Sequence, residues 1–462
     1  MILTIKNFGP ISEYRCDLDR RLIVTYGVNS IGKSYAMQIE YLLLKNLLYW
    51  NSNRAGNGTN NHTFEKLVKD FDESDYERQS ITEEVLAELE NCMKGEWMST
   101  FIQSLDNTFS NHSMVSSGNA EIILEVPGIA VKLRFKDASL DLKWKIKPIV
   151  IRKSASTVHK SRDSKTEFDV YSTKGRTEEP REVLMDKLVE LRNEFYDAMV
   201  GEVGDIHFLP ASRSGISIGM NAIGPALAEL SQYPMTSGKS IAIPSIPEPI
   251  SDYYLELTRI QSKKSTPYLY EAEQMEKRIL HGSVKQDSKK KTLLFQPEDM
   301  KTALDMNDAS SMIAELSPVI AIIKYMAGNV KKYNDRTEKN TQKESIIFIE
   351  EPEAHLHPEN QVLLAEEFGR LAKAGLKIIA ASHSNYIFNK FNNMILSKQL
   401  SCEDYEPIHL VKERKGAVSE ILATDQYGTK DKNFSQVAED LYDEREQIID
   451  EMMDDSGEQP DD

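Results

Sequence analysis

Cysteine is scarce in this sequence of 462 residues: Cys16, Cys92 and Cys402 lie far apart and form no CxxC pair. That excludes a disulfide scaffold and a zinc ribbon. Long apolar runs are missing too, and none approaches the ~18–20 residues that span a bilayer. The first residues, Met1 to Lys6, show no basic stretch followed by an apolar one, so no signal peptide is expected. Positive charge is in short supply, with 56 Lys and Arg against 73 Asp and Glu and a net charge of −17 at pH 7. A chain this acidic does not coat nucleic acid by bulk charge; any such contact needs a local basic patch. What remains is 40% hydrophobic and 28% charged residues, enough apolar matter for a real core. The expectation is a soluble, cytoplasmic protein with no membrane partner. Its length allows up to three domains at ~150 residues each, or one domain with large insertions.

Strands are expected at Ile2 to Phe8 and Leu22 to Tyr26, then a helix from about Ser34 to Tyr49 that is apolar on most sides. An Asn- and Gly-rich stretch from Asn51 to Asn61 reads as loop, and 64–105 as helices. Glu121 to Val126, Ile129 to Phe135 and Leu140 to Ile146 read as three short strands separated by Pro127-Gly128 and Lys136-Asp137, hence an antiparallel meander. A polar loop is expected over 153–180, a helix over Arg181 to Val200 and a strand over Ile206 to Leu209. Residues 234–250 hold four prolines and read as a connector, 252–282 as one long charged helix, and Lys285 to Lys291 as a basic break. From about 308 the pattern alternates helix and strand (Ile346 to Ile349, then Ile378 to Ala381), the mark of a parallel βα sheet. The last twelve residues carry six carboxylates and read as a frayed tail.

The chemistry starts at Gly27-Val-Asn29-Ser30-Ile-Gly32-Lys33-Ser34, a complete GxxxxGKS between a strand and a helix. Glycines let backbone N–H groups turn inward around phosphate oxygens, and the helix N-terminus adds the positive end of its dipole. Lys33 is expected to reach the β- and γ-phosphates, and Ser34 to ligate Mg²⁺. Carboxylates must come from elsewhere. Ile346 to Ile349 ends in Glu350-Glu351-Pro352-Glu353-Ala-His355-Leu-His357-Pro358, and the C-terminal end of such a strand borders the phosphate site of an α/β sheet. Glu350 is the expected metal carboxylate, and Glu351 the residue that polarises the attacking water. His355 and His357 have no further His or Cys at ligand spacing and do not read as a zinc site. His383, ending the next strand, can reach the γ-phosphate.

These motifs together resemble an ABC-type ATPase of the SMC and OLD-like branch, and in particular the ATPase subunits of bacterial antiphage systems such as PARIS and Septu. Two further segments fit. Asp308-Ala-Ser310-Ser311-Met312-Ile-Ala-Glu315-Leu-Ser-Pro318 resembles the signature segment of that group, and Phe208-Leu-Pro-Ala-Ser-Arg213-Ser-Gly215 a motif preceding it. The resemblance implies an α/β fold, a P-loop ATPase head with a mixed sheet, an antiparallel meander and large helical insertions. It implies ATP and Mg²⁺ as cofactors, with Gly27, Asn29, Ser30, Gly32, Lys33, Ser34 and Arg213 at the nucleotide, Glu351 and His383 as catalytic residues, and Ser34 and Glu350 at the metal. It also implies a homodimer or higher dimer-based oligomer, in which Ser310 and Ser311 cap the ATP of the other subunit. Met312 stands where a signature glycine is usual, and Glu350 replaces the commoner aspartate. The expected division is 1–50 with 120–216 as a first ATPase lobe, 51–119 as a helical insertion, 217–307 as a helical arm, 308–430 as a second lobe, and 431–462 as a helix with an acidic tail.

No nuclease signature is found, and no apolar strand ending in DxD follows His383. The resemblance therefore implies an ATPase that senses infection and controls a separate effector protein, a nuclease. The competing expectation is an SMC- or RecF-like repair or chromosome-maintenance ATPase that clamps DNA. One basic segment stands out on the acidic chain, from Lys143 to Lys165, holding Lys143, Lys145, Lys147, Arg152, Lys153, Lys160, Arg162 and Lys165 against Asp163. Alternation puts Lys143, Lys145 and Lys147 on one face and Trp144 and Ile146 on the other. That face is either solvated surface or a docking site for DNA or an acidic phage protein.

Overall fold

The structure is a computed structural model with side chains. It describes residues 1–52, 66, 70, 78–109, 116–152, 178–217, 219, 246–261, 266–287, 291–328, 343–431 and 434–456. The chain opens with β1 (Ile2–Phe8), β2 (Ile11–Asp17), β3 (Leu22–Tyr26) and α1 (Lys33–Ser52). β4 (Arg78–Ser80), α2 (Thr82–Cys92), a π-helical turn (Met93–Met98) and α3 (Ser99–Phe109) follow. Then come β5 (Ser116–Val126), β6 (Ile129–Arg134), β7 (Ser139–Trp144), β8 (Val150–Arg152), α4 (Glu178–Val200) and β9 (Val203–Leu209). Next are α5 (Glu248–Arg259), α6 (Leu269–Met275), a second π-helical turn (Glu276–Leu280), β10 (Gly282–Asp287), β11 (Thr292–Pro297) and β12 (Leu304–Asp305). The remainder is α7 (Ser311–Tyr325), β13 (Glu344–Glu350), α8 (Pro358–Lys373), β14 (Lys377–Ser382), α9 (Asn385–Leu396), β15 (Tyr405–Glu413), β16 (Gly416–Ile421), β17 (Thr424–Asp425), β18 (Gly428–Thr429) and α10 (Ser435–Ser456).

Eleven strands form one mixed α/β sheet in the order β7-β6-β5-β1-β2-β16-β15-β3-β14-β13-β9. From β15 to β9 the neighbours run parallel; from β7 to β2 they are antiparallel, and this half contains the expected meander. The central parallel strands β3, β13 and β14 are buried on both faces, as their mostly apolar runs require. Alternation sorts their side chains between two cores: Ile23, Ile346, Phe348 and Ile379 face α1 and the helices of 82–109, while Val24, Ile347, Ile349 and Ile378 face α7, α8 and α9. Helix α1 lies inside the first core, buried on nearly every side, with Leu42, Leu43 and Leu47 fully covered. No helix among the described residues is long and apolar enough to cross a membrane.

Four expectations are corrected. Residues 252–282 are not one helix: α5 ends at Arg259, α6 starts only at Leu269, and Pro267 in the gap lacks the N–H a continuous helix needs. The arm expected over 217–307 is not wholly helical, because β10, β11 and β12 form an antiparallel sheet there. Lys285 lies within β10 rather than in a break, with the apolar positions Val284, Leu293 and Phe295 buried against α7. At the other end the acidic tail is helical up to Ser456. The polar loop of 153–177, the Asn-rich stretch of 53–61, the connector of 220–245 and the basic residues Lys153 to Lys165 lie outside the described residues.

Candidate phosphate-binding site

Strand β3 sits between β15 and β14, and its chain turns through Gly27–Gly32 into α1. Gly27 and Gly32 have φ of 150° and 119°, conformations that side chains rarely adopt. A Cβ on Gly27 would lie 2.9 Å from the Leu410 carbonyl oxygen, so glycine is required there for space as well. Asn29, Ser30 and Ser34 are exposed on the loop, while Lys33 is folded back into it and buried. The Lys33 ammonium donates to the carbonyls of Gly27 (2.9 Å) and Val28 (3.0 Å) and lies 3.3 Å from His383 Nδ1. Burial lowers its pKa to about 8, against the opposing pull of Glu351 and Glu353. The ammonium is thus poorly solvated, held by two loop carbonyls and the His383 ring with no carboxylate bonded to it.

Because β13 and β14 run parallel to β3, their C-terminal ends arrive at the same edge of the sheet. Glu350 ends β13, is 5% exposed, and accepts from Gln38 Nε2 (3.3 Å) and the Ala211 amide (3.2 Å). Burial raises its pKa, partly offset by the Ala211 amide, the Ser34 hydroxyl and Gln38. Ser34, Gln38 and Glu350 therefore present a cluster of hard oxygens beside the loop, the donor type that Mg²⁺ takes together with phosphate oxygens. These residues fit the expected metal, which would neutralise charge on the phosphates. Glu351 is exposed and has φ of 42°, a strained geometry for a side chain, held by its amide donating to the Ala381 carbonyl (2.9 Å). Glu353 accepts from the His383 backbone amide, and burial raises its pKa. His383 is itself held below its ordinary value by burial and by the Lys33 charge, so it faces Lys33 as a neutral acceptor.

Not every expected residue joins this cluster. Arg213, expected at the nucleotide, is 0% exposed. Its N–H groups meet the carbonyls of Pro210, Glu315, Glu350 and Glu351. An arginine so enclosed has no face left for a ligand, and this corrects its expected place among the nucleotide contacts. Ser310 and Ser311 stand exposed at the N-terminus of α7, where Ser310 occupies the capping position without a side-chain capping bond. His357 caps α8, accepting weakly from the Glu359 amide (3.4 Å), a structural use that fits the absence of zinc spacing. Two residues at the site were not singled out from sequence as ligand-side groups: Gln38, one turn after Ser34 on α1, and Glu353. The helical i,i+4 spacing from Ser34 is the signal that would have found Gln38.

The fold and the loop define a nucleotide-binding α/β protein. The family model described as AAA ATPase domain matches residues 1–388, and the chain belongs to that family. A search of curated proteins gives no match. Among solved structures the chain is similar to an SMC head bound to the C-winged helix domain of ScpA, with a TM-score of 0.37 and 10% identity over 92% of this chain and 98% of that one. It is likewise similar to the SMC head domain from Thermotoga maritima, with a TM-score of 0.37 and 8% identity over 91% and 98% of the two chains.

Proposed function

We propose that this chain binds ATP with Mg²⁺ at the Gly27–Ser34 loop, hydrolyses it, and closes into an ABC-type dimer around two nucleotides. The observation that carries the proposal is the meeting of Lys33, His383, Glu350 and Glu351 at the ends of three parallel strands. In this reading Lys33 leaves the Gly27 and Val28 carbonyls for the β- and γ-phosphates, and Ser34 and Glu350 hold the metal. Glu351, exposed at the strand end, orients and deprotonates water, and His383 contacts the γ-phosphate. Ser310 and Ser311 supply the contact from the second subunit, using the N-terminal end of α7.

The biological role proposed is that of a sensor subunit in antiphage defence, controlling a separate effector, a nuclease. It rests on the resemblance of the motifs to that group. The exposed Lys143, Lys145 and Lys147, with Trp144 and Ile146 packed against the core behind them, offer the trigger's docking face.

The first test is equilibrium binding of a fluorescent ATP analogue to wild type and Lys33→Ala. The variant is expected to fold normally and lose at least ten-fold in affinity, because Lys33 contacts loop carbonyls rather than core. Affinity within two-fold of wild type would remove the loop from the account.

A further inference from the structure

Arg213 is surrounded by oxygens from three separate segments. Its Nε donates to the Glu315 carbonyl (2.9 Å) and lies 3.3 Å from the Glu315 carboxylate. Nη1 donates to the carbonyls of Pro210 (2.9 Å) and Glu350 (2.8 Å), and Nη2 to that of Glu351 (3.3 Å). Glu315, also 0% exposed, closes the other side. Its carboxylate accepts the backbone amides of Arg213 and Ser214 (both 3.0 Å) and the Ser214 hydroxyl (2.6 Å). Burying a charge is tolerated only when it is paired and its donors are satisfied, and this pair is both.

What the pair joins matters more than the pair itself. Glu350 and Glu351 end β13, and Glu351 carries the strained φ of 42°. Glu315 lies one turn inside α7, which begins at the exposed Ser311 behind its exposed cap residue Ser310. A guanidinium is a rigid planar fork, so moving either partner segment breaks bonds to the other.

We infer that Arg213 is a positioning residue that fixes the backbone of Glu350–Glu351 to the first turn of α7, so that the aim of the Glu351 carboxylate depends on where α7 sits. This deepens the proposed ATPase reading and rests on it. Lysine has a single ammonium on a flexible stem and cannot serve four carbonyls in one plane. Arg213→Lys therefore frees Glu351 while leaving the phosphate loop intact.

The test is a double-variant cycle in single-turnover ATP hydrolysis, with nucleotide affinity measured alongside. Arg213→Lys is expected to bind ATP within three-fold of wild type and to hydrolyse it at least ten-fold more slowly. In a Glu351→Gln background the same change is expected to slow hydrolysis by less than two-fold, since the group it aims is gone. Ser214→Ala, which removes one donor to Glu315 and leaves the buried charges paired, is expected to show the same pattern at a few-fold. It decides the matter should Arg213→Lys not fold. Equal losses with and without Glu351, or no loss in either variant, would overturn the coupling while leaving the ATPase reading standing. A wild-type chain that binds no ATP would overturn both.

Discussion

Lys33 and Glu40 lie two turns apart on α1, and burial acts on both in opposite directions. Lys33 is pushed down to about 8 and Glu40 up to about 7, each toward its neutral form. Glu40 accepts from Cys16 Sγ (2.9 Å) and lies against the Tyr14 hydroxyl, the two groups that partly offset its burial. Its pKa exceeds the ordinary 4.5, so the folded chain holds a proton that the unfolded chain has lost. Stability from this group is full below pH 4.5 and is lost as pH rises through about 7. Glu40→Gln, which cannot ionise, should therefore gain on wild type at pH 8 by roughly 1–3 kcal/mol and gain little at pH 5. Thermal melts of the two proteins at both pH values check this; an equal difference at both would show that Glu40 does not titrate in the fold. At this scale the sequence made Lys33, Ser34, Glu350 and His383 legible, because motif spacing after a strand states where side chains must go. It misplaced Arg213, since an arginine near a phosphate site and one clamped on carbonyls read the same in one dimension.

Elements show where local pattern ends and long-range pairing begins. The bounds of β1 and β3 follow from the sequence to the residue, while the meander strands carry their own alternation and turn residues but differ in extent, β5 starting at Ser116 rather than at the expected Glu121 and β7 ending at Trp144 rather than Ile146. β15 and β16 do not announce themselves: Pro407 interrupts β15, and its last residues, Val411 to Glu413, face solvent. They are strands because β15 pairs with β3 and β16 with β2, contacts spanning almost the whole chain. β15 also shields β3, and its Leu410 backs Gly27 of the phosphate loop. By contrast, every described side chain of α10 from Glu439 to Met452 is exposed, including Leu441, Tyr442, Ile448, Ile449 and Met452. Truncation should separate the two cases. A chain ending at Phe434, which still packs Phe434 on Tyr26 and Phe388, should melt within ~2 °C of wild type, because α10 buries none of its side chains from Glu439 to Met452. A chain ending at Leu400 should be insoluble or unfolded, with β3 left as an open apolar edge. Calorimetry and solubility of the two truncated chains decide it.

For the molecule as a whole, acidity and the basic face of β7 belong together. A net charge of −17 repels other acidic polymers, so the acidic trigger proposed above would have to be met at a place where the field is locally reversed. Lys143, Lys145 and Lys147 to Glu should leave ATP hydrolysis unchanged, since Lys143 lies on β7 at the far edge of the sheet from β3. Under the antiphage role proposed above, the same change should abolish protection of cells from phage, measured as plating efficiency. Full protection by the triple variant would make this face plain solvated surface.

The central claim is that ATP held by Lys33 is hydrolysed through Glu351. It is tested most directly by single-turnover conversion of labelled ATP bound to Glu351→Gln. The expected result is ATP affinity near that of wild type with hydrolysis slowed ~10²-fold or more, the usual scale for a lost general base. Hydrolysis at the wild-type rate, or retention of uncleaved ATP in Glu350→Gln but not in Glu351→Gln, would contradict it.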